Sequence, residues 1–556
     1  MISQRPHAQL PTHTVFNTPP HLGDLDLWTS DRVLRETVER EGGARFVEEI
    51  AAFGPIAGAA ETFELADQAD RHPPELHAFD RYGMRIDQVE FHPAYHALMD
   101  MAIGRGLPNF AWRNEGPGAQ VAHFALNYLF NQAEGGVMCP MSMTYSAVPV
   151  LRAYPGQADE WLDRVLSTCY DARDIPAARK TGATIGMFMT EKQGGSDVRA
   201  NTTRAVHAGG PGGPGSEYRL TGHKYFCSAP MSDAFLTLAR TDEGLSCFLV
   251  PRFTPDGARN RLFIQRLKNK LGNRSNASSE IEYHDTWATM IGEEGRGVRT
   301  IIDMVQANRV YCGVSSAALM RQALVRALHH CSHRDAFGAR LIEQALMRNV
   351  LADLALESEA ATALAFRVTR ALDEAPADPA AAALARVGPA ITKYWNCKRA
   401  PVQIGEALEC HGGPGYVEES IMPRLYREAP VNSIWEGSGN IMCLDVLRAI
   451  GRDSQAAPAL IAELNTARGG NRLLDARIDM LGEVLSRPPA DLEAQARRLT
   501  ESLAVAWQAA LLVRHAPEAV ADAFCASRLG DSWHGAFGTL GSGLDLPAVI
   551  ARAYPT

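Results

Sequence analysis

Glu436 has the surroundings in this sequence that most favour proton chemistry. It lies in the stretch VNSIWEGSGNIMCLD, between a bulky indole and a run of small residues. One interpretation is a carboxylate at the start of a helix, because acids are favoured near helix N-termini and IMCLDVLRAI has helical apolar spacing. The other is a general base, because a carboxylate walled by Ile434 and Trp435 loses water, and its pKa rises toward the range useful for proton abstraction.

The composition is that of a large soluble globular protein. The chain has 556 residues, 46% of them hydrophobic, so three or four domains are expected. We find no apolar leader and no apolar run long enough to span a bilayer, which predicts a cytoplasmic location and no membrane partner. Ten cysteines without a C-x-x-C pair suit a reduced compartment. A net charge of -9 argues against a protein coated for nucleic acid.

The hydrophobic periodicity changes along the chain and predicts an α+β protein. Residues from about 25 to 170 have helical spacing, short strand-like runs follow up to residue 287, and long amphipathic helices then return. The Gly-Pro segment HAGGPGGPGSEY lacks G-x-G-x-x-G spacing and a following helix, so we interpret it as a hairpin tip. The predicted units are an N-terminal helical domain (1–181), a middle antiparallel β-domain (182–292), a four-helix bundle (293–450) and an additional C-terminal helical domain (451–556).

Five ordered motifs between residues 189 and 440 resemble one enzyme family. They are MTEKQGGSDVRANTT, LTGHKYFCS, KLGNRSNASSEIEYHD, the pair RDAFG and ECHGGPGYVEES, and WEGSGN. Their order is similar to that of the FAD-binding and catalytic segments of acyl-CoA dehydrogenases. The resemblance implies the acyl-CoA dehydrogenase fold and a homotetramer with one FAD per subunit. THTVFN, PRLYRE and the long C-terminal extension resemble the alkylation-response subgroup of that family.

The resemblance also implies which residues hold FAD. Thr190 would face the pyrimidine edge of the isoalloxazine ring, and Ser196 would donate to the pyrophosphate. Phe226 would form an aromatic wall, and Ser228 would contact flavin N5. The set predicted in these motifs and around Glu436 is Met189, Thr190, Gly195, Ser196, Phe226, Cys227, Ser228, Ile434, Trp435, Gly437, Ser438 and Asn440.

RDAFG and ECHGGPGY resemble segments that bind the FAD of a neighbouring subunit. Arg334 suits a diphosphate because a guanidinium pairs with phosphate oxygens in a fork, and Phe337 could pack on the same cofactor. Glu409 stands where the family has Gln. Gly412 and Gly413 allow close backbone approach. All five are predicted to bind the cofactor.

WEGSGN occupies the place of the family's catalytic Glu-Gly-Thr segment, which favours Glu436 as a base. It would remove the α-proton of an acyl thioester while a hydride moves from the β-carbon to flavin N5. Some relatives carry the base immediately before an Arg on the first bundle helix, but here Asn308 precedes Arg309. Gln306 replaces an Asp that helps many relatives to bind the CoA adenine, so we expect weak dehydrogenase activity.

The HHCSH run, His329 to His333, raises the question of a zinc site at the end of a predicted helix. It has no neighbouring acid ligand and no H-E-x-x-H spacing. We interpret these residues as ordinary helix-end histidines and predict no metal.

The resemblance implies double-stranded DNA as a partner of the C-terminal extension. Its composition opposes this, because residues 451–556 contain ten Arg and no Lys against twelve Asp and Glu. Arginine nevertheless pairs bidentately with phosphate. Arg497, Arg498 and Arg514 are predicted to gather on one side of a helical pair and to bind DNA.

Three functions therefore remain open. The first is a flavoprotein of the alkylation response that binds DNA and retains weak, isovaleryl-CoA-like dehydrogenase activity. The second is a metabolic acyl-CoA dehydrogenase that passes electrons to an electron-transfer flavoprotein. The third is a flavin oxidase or monooxygenase that inactivates alkylating agents with O2.

Overall fold

The N-terminal part of the chain is mainly helical, as its periodicity predicts. The structure is a computed structural model that describes residues 7–209, 212–530 and 535–555. Helix α1 begins after Asp31, whose side chain accepts a hydrogen bond from the backbone N of Leu34 at 3.0 Å. The N-terminal helices are α1 (Arg32–Arg40), α2 (Val47–Ala57), α3 (Ala60–Arg71), α4 (Pro93–Gly104), α5 (Phe110–Arg113), α6 (Ala119–Asn131), α7 (Met138–Ala153) and α8 (Asp159–Val165).

A hairpin that the periodicity does not predict interrupts these helices. Its strands are β1 (Glu75–Phe79) and β2 (Arg85–Glu90). The turn forms because Asp80 accepts hydrogen bonds from the backbone N–H groups of Tyr82 and Met84, each at 2.8 Å. Asp87 accepts a bond from the backbone N of Ile264 at 3.1 Å, which fastens the hairpin to the middle sheet.

The middle sheet has seven strands within the described residues. They are β3 (Ile185–Phe188), β4 (Arg204–His207), β5 (Glu217–Ser228), β6 (Ala234–Thr241), β7 (Gly244–Pro251), β8 (Leu262–Leu267) and β9 (Ser278–Ile291). Their order is β3-β6-β4-β5-β9-β7, with β8 paired to β9 and β6 also paired to β7.

The sheet is mixed, which corrects the expectation of purely antiparallel pairing. Most pairs are antiparallel, but β6 runs parallel to both β3 and β4. The cause is the motif segment 189–203, which crosses from one side of β6 to the other and so joins two strands of the same direction. The Gly-Pro segment connects the antiparallel strands β4 and β5, and its Gly210 and Pro211 lie outside the described residues.

Long helices follow the sheet and pack as a bundle. The elements are α9 (Gly297–His333), β10 (Asp335–Ala336), β11 (Ala339–Arg340), α10 (Ala345–Glu374), α11 (Pro379–Glu409), α12 (Gly413–Tyr416), α13 (Ile421–Glu428) and α14 (Gly439–Arg452). Helix α11 begins with Pro379 after Asp378, whose carboxylate accepts a bond from Ala380 N at 2.9 Å. It packs against α9, α10 and α14.

The C-terminal segment packs on the same bundle. Its helices are α15 (Ala456–Asn465), α16 (Arg472–Leu485), α17 (Ala496–His515), α18 (Glu518–Arg528) and α19 (Leu546–Ala553). Trp507 on α17 is buried in one hydrophobic cluster with residues of α9, α10 and α11. None of the helices that the structure describes is long and apolar enough to cross a membrane.

Candidate active site

Four motifs that are far apart in the sequence meet at one cavity of about 2120 Å³. Its walls come from the β3–β4 crossover, strand β5, helix α9 and the segment before α14. The sequence-predicted residues that line it are Met189, Thr190, Gly195, Ser196, Phe226, Ser228, Ile434, Trp435, Glu436, Gly437 and Ser438. The structure therefore brings together most of the residues predicted to hold a flavin and the predicted base.

The crossover segment is held by a buried ion pair that the sequence analysis missed. Glu191 and Lys224 are both fully buried, with Nζ 3.0 Å from Oε1. Glu191 also accepts hydrogen bonds from the backbone N atoms of Thr202 and Thr203 at 2.6 and 3.1 Å. Burial raises the pKa of Glu191, but Lys224 and these donors outweigh burial and hold the pKa well below its usual range.

Gly195 is required beside Thr190. A Cβ atom on Gly195 would lie 2.5 Å from Thr190 Oγ1, closer than real Cβ contacts. The Thr190 carbonyl accepts a hydrogen bond from Tyr225 N at 2.9 Å, which ties the crossover to β5. The two segments that face the cavity are thus fixed to each other.

Strand alternation corrects one predicted cofactor residue, Cys227. Successive side chains of a strand point to opposite faces. Phe226 and Ser228 line the cavity, whereas the Cys227 side chain is fully buried in the sheet. Burial raises the pKa of its thiol well above the usual range. Asn440, in the first turn of α14, is exposed at the surface and also does not face the cavity.

Glu436 lies in a backbone bend that sets its direction. Its φ is 56° and that of Gly437 is 104°, both in the left-handed region. Helix α14 begins only at Gly439, so Glu436 precedes the first turn. Its side chain faces the cavity beside Trp435, whose Nε1 donates to Asn432 Oδ1 at 3.1 Å. This position fits the general-base interpretation better than the helix-start interpretation.

Two cations clamp the backbone around Glu436. Arg309 Nε on α9 donates to the Glu436 carbonyl at 3.1 Å, and Lys393 Nζ on α11 donates to the Gly437 carbonyl at 2.7 Å. Burial raises the pKa of Glu436 to about 7, although Arg309 and Lys393 oppose the shift. A carboxyl group with this pKa can take up a proton near neutral pH.

Three arginines that bond to Asp445 form a cationic wall beside Glu436. Arg309 Nη1 donates to Asp445 at 2.8 Å, Arg386 makes two hydrogen bonds of 3.0 Å, and Arg448 makes one of 3.3 Å. The sequence singles out Arg309 but not Arg386 on α11 or Arg448 on α14, because contacts between different helices leave no local pattern. One acid facing three guanidinium groups leaves this wall positively charged.

Another buried cation, Lys270, is linked to Ser228 through Ser278. Lys270 Nζ donates to Ser278 Oγ at 3.1 Å, and Ser278 Oγ lies 3.3 Å from Ser228 Oγ. Burial lowers the pKa of Lys270 to about 8, and it raises the pKa of the neighbouring Cys139 thiol to about 11. The KLGNRSN motif contained this lysine, but its letters alone gave no indication that the side chain is buried.

The remaining predicted cofactor residues form a separate surface, here called the distal surface: Arg334, Phe337, Glu409, Gly412 and Gly413, all exposed. Cys331 and Cys410 contact each other there, which places the ends of α9 and α11 side by side. Arg309 lies within α9, and Arg334 directly follows the last residue of that helix. At 1.5 Å per residue, the 25 residues between them correspond to roughly 37 Å along the helix axis. The distal surface is therefore far from the substrate end of the cavity of its own chain.

The histidines of HHCSH pack in pairs at this end of α9. The rings of His329 and His333 lie 4.5 Å apart, and those of His330 and His411 lie 4.8 Å apart. Burial lowers the pKa of His330 to about 4. Across the described parts of the chain, no group of three or more His, Cys, Asp or Glu side chains is arranged to hold a metal.

The three arginines predicted to bind DNA do not form one patch. All are exposed on α17, with Arg497 and Arg498 in its first turn and Arg514 in its last turn. The rise of an α-helix separates the two groups by roughly 24 Å. The prediction that they gather on one side of a helical pair is wrong, because α17 alone carries all three and places them near its two ends.

Comparison with known families assigns three stretches of the chain between residues 17 and 451. Residues 17–172 match the Adaptive response protein AidB N-terminal domain, residues 186–286 match the acyl-CoA dehydrogenase middle domain, and residues 295–451 match the acyl-CoA dehydrogenase C-terminal domain. AidB of Escherichia coli (strain K12) is 45% identical over 92% of this chain and 94% of its own. The chain belongs to the acyl-CoA dehydrogenase family.

Solved structures agree with this assignment. The complex of Caenorhabditis elegans ACDH-11 with C11-CoA is similar with a TM-score of 0.85 and 27% identity, covering 96% of both chains. A Bacillus anthracis acyl-CoA dehydrogenase complexed with FAD shares the fold, with a TM-score of 0.66 and 16% identity over 94% of this chain and 87% of its own. The protein is thus an FAD-dependent oxidoreductase with the acyl-CoA dehydrogenase fold.

The cavity fits FAD. It offers the hydroxyl groups of Thr190, Ser196 and Ser228 and an aromatic wall at Phe226. Gly195 leaves space that any side chain would fill. These are the hydrogen-bonding groups and the close backbone approach that a flavin with its pyrophosphate requires.

Proposed function

We propose that the protein dehydrogenates acyl-CoA thioesters, with Glu436 as the base that removes the α-proton. The observation that carries this proposal is the Glu436 carboxyl group in the cavity wall, with a pKa raised to about 7 by burial. Thr190, Ser196, Phe226 and Ser228 would hold the cofactor opposite it. Bound FAD would supply the hydride acceptor for the β-carbon.

The residues around Glu436 suit proton abstraction. Arg309 and Lys393 fix the carbonyl groups of Glu436 and Gly437, so the carboxyl group needs little reorganisation when substrate enters. Trp435 lies next to Glu436 in the chain and also lines the cavity. A desolvated carboxylate close to neutral pKa is a stronger base than an exposed one.

The substrate class follows from the family and from room in the cavity. ACDH-11, which covers 96% of this chain, was solved with C11-CoA. The cationic wall of Arg309, Arg386 and Arg448 would attract an acyl-CoA, whose negative charge is carried by the phosphates of its CoA part. An electron-transfer flavoprotein is the proposed electron acceptor.

Glu436→Gln tests the catalytic assignment. The amide keeps the size of the side chain but cannot accept the proton, so we expect anaerobic bleaching of FAD by an acyl-CoA to slow by about 10²- to 10⁴-fold. Flavin content should stay unchanged. The exposed Glu39→Gln on α1 is the matched control. Undiminished bleaching in the Glu436 variant would place the base elsewhere, and rapid reoxidation of reduced flavin by O2 would favour an oxidase or monooxygenase.

We also propose a homotetramer in which the distal surface contacts the FAD of a neighbouring subunit. Arg334 and Phe337 lie too far from the substrate end of their own cavity, yet they carry a diphosphate-binding group and a fully exposed ring. A second copy of the chain would bring its cofactor to this surface. Light scattering of the flavin-loaded protein would measure the predicted mass of four chains.

A second proposed function is association with double-stranded DNA in the adaptive response to alkylation. The observation that favours it is the match of residues 17–172 to the Adaptive response protein AidB N-terminal domain. Arg497 and Arg498 are exposed, and Arg498 is close enough to Arg477 to lower its pKa in addition to the effect of burial. These residues offer a local cationic group on an acidic chain.

A salt titration of duplex binding tests this function. The slope of log affinity against log salt should fall by about 2 in the variant with Arg497→Ala and Arg498→Ala, and by about 1 in Arg514→Ala, since each lost phosphate contact contributes about 0.9. The Lys variants at the same positions should keep the slope. No binding at low salt would remove DNA from the function and leave the dehydrogenase proposal intact.

A further inference from the structure

The segment before the first helix folds onto the distal surface. Residues 8–15 form a small turn in which Leu10 N donates to His13 O at 2.9 Å and Val15 N donates to Ala8 O at 2.7 Å. Phe16 and Asn17 then reach the short β10–β11 hairpin that follows α9. A further contact lies beyond them, where His329 Nε2 is 2.8 Å from the Pro20 carbonyl.

The side chain of Asn17 bonds to the backbone of the hairpin. Its Nδ2 donates to the Asp335 carbonyl at 2.9 Å, and its Oδ1 accepts a bond from Asp335 N at 2.7 Å. Its own carbonyl accepts a bond from Arg334 Nη1 at 2.5 Å. A guanidinium has five N–H donors, so this bond fixes Arg334 while other donors can pair with a phosphate.

Two aromatic side chains of this region are exposed. Phe16 is 79% exposed and Phe337 is 101% exposed. Phe337 also has a φ of 53°, a conformation that a bulky residue adopts only when its surroundings fix it. Two exposed aromatic rings beside a guanidinium form a surface suited to a diphosphate attached to a flat ring system.

We propose that residues 8–17 are part of the interface between two copies of this chain, and that Asn17 positions Arg334 for the FAD held by the second copy. The inference rests on the proposed contact of the distal surface with a neighbour's cofactor. Phe16 enlarges the apolar part of the interface. Asn17 acts through Arg334 and does not itself touch the cofactor.

Asn17→Gly is the sharpest test. Asn17 has a φ of 57°, which glycine adopts without strain, so this variant removes the side-chain hydrogen bonds and keeps the backbone. The backbone carbonyl that holds Arg334 then loses its two side-chain anchors on Asp335, so we expect FAD to dissociate several-fold more readily on dilution. The unfolding temperature of the flavin-free protein should not change. Asn17→Asp keeps the acceptor and loses the donor, so its FAD affinity should be intermediate.

Phe16→Ser tests the apolar contact, with the exposed Tyr82→Ser of the β1–β2 turn as the matched control. The Phe16 variant should dissociate into smaller species at several-fold higher protein concentration, measured by light scattering, and the Tyr82 variant should not.

Arg334→Ala separates this inference from the proposal on which it rests. If Arg334→Ala loses FAD while Asn17→Gly retains it fully, the N-terminal segment does not position Arg334. If neither variant changes FAD retention, the distal surface does not bind the cofactor, and both ideas fail. Loss of FAD in both variants at an unchanged fold supports both.

Discussion

The chemistry of Glu436 depends on a backbone conformation that single residues enforce. A non-glycine residue at a φ of 56° is uncommon and persists when the surrounding structure holds it. Here the bonds from Arg309 and Lys393 supply that restraint. The sequence indicated the acid, the indole and the glycine of this bend. It could not indicate Lys393, because a lysine 43 residues away on a helix has no local signal.

The pH dependence of activity follows from the pKa of Glu436, which burial raises to about 7. Proton abstraction requires the carboxylate, so kcat/KM should rise with pH and level off above about pH 8. A profile measured with an acyl-CoA under anaerobic conditions checks this. Activity that is already maximal at pH 5 would contradict the assignment, because an exposed glutamate with an ordinary pKa would behave in that way.

Lys393→Met should move this profile to higher pH. The lysine is buried, and its charge lowers the pKa of Glu436 against the effect of burial. Its removal therefore raises the pKa and also frees the Gly437 carbonyl. We expect kcat to fall by about tenfold or more and KM to change less, since positioning is lost. Lys398→Met, five residues further along α11, is the control and should leave the profile in place.

At the scale of elements, strand β5 contains a register shift that its sequence pattern does not indicate. The register of β5 against β9 shifts between Lys224 and Cys227, which is a β-bulge. The bulge lets Tyr225 and Phe226 both line the cavity while Lys224 and Cys227 both point into the protein. LTGHKYFCS predicted a strand that faces the flavin, but the added residue and the fate of Cys227 depend on the partner strand.

Lys224→Met tests the anchor that this element provides. The change leaves Glu191 buried without its partner, and breaking a buried ion pair in this way costs about 3 to 5 kcal/mol. The unfolding temperature and the FAD content should fall together, because Glu191 also holds the backbone of Thr202 and Thr203. Thermal denaturation with detection of released flavin measures both. The double variant Glu191→Gln, Lys224→Met should recover part of the stability, and no recovery would show that the two side chains act separately.

At the scale of the whole molecule, the order of helical domain, sheet and helical bundle could be predicted, because the spacing of apolar residues changes at each domain boundary. The β1–β2 hairpin could not, since its short strands lie among helices and its place is set by contacts with Ile264. For the C-terminal arginines, the sequence predicted a proximity that the structure does not have. The pairing of arginine with phosphate suggested a cluster against the acidic composition, but the 20-residue helix α17 places Arg498 and Arg514 near opposite ends.

The C-terminal helices share their core with the bundle, which predicts that they unfold together with it. Arg367 on α10 makes bonds of 2.7 and 2.9 Å to Glu463 on α15, and Trp507 Nε1 on α17 donates to the same carboxylate at 3.2 Å. Glu463→Gln removes the charge that Arg367 faces in a largely buried position, and we expect a loss of about 3 kcal/mol. Hydrogen exchange in increasing urea should show peptides from α10 and α17 losing protection at one midpoint, and the variant should lower that midpoint for both. Protection lost from α17 alone would instead mean that residues after 451 form a unit able to unfold separately. Glu463 would then contribute nothing to the stability of the bundle.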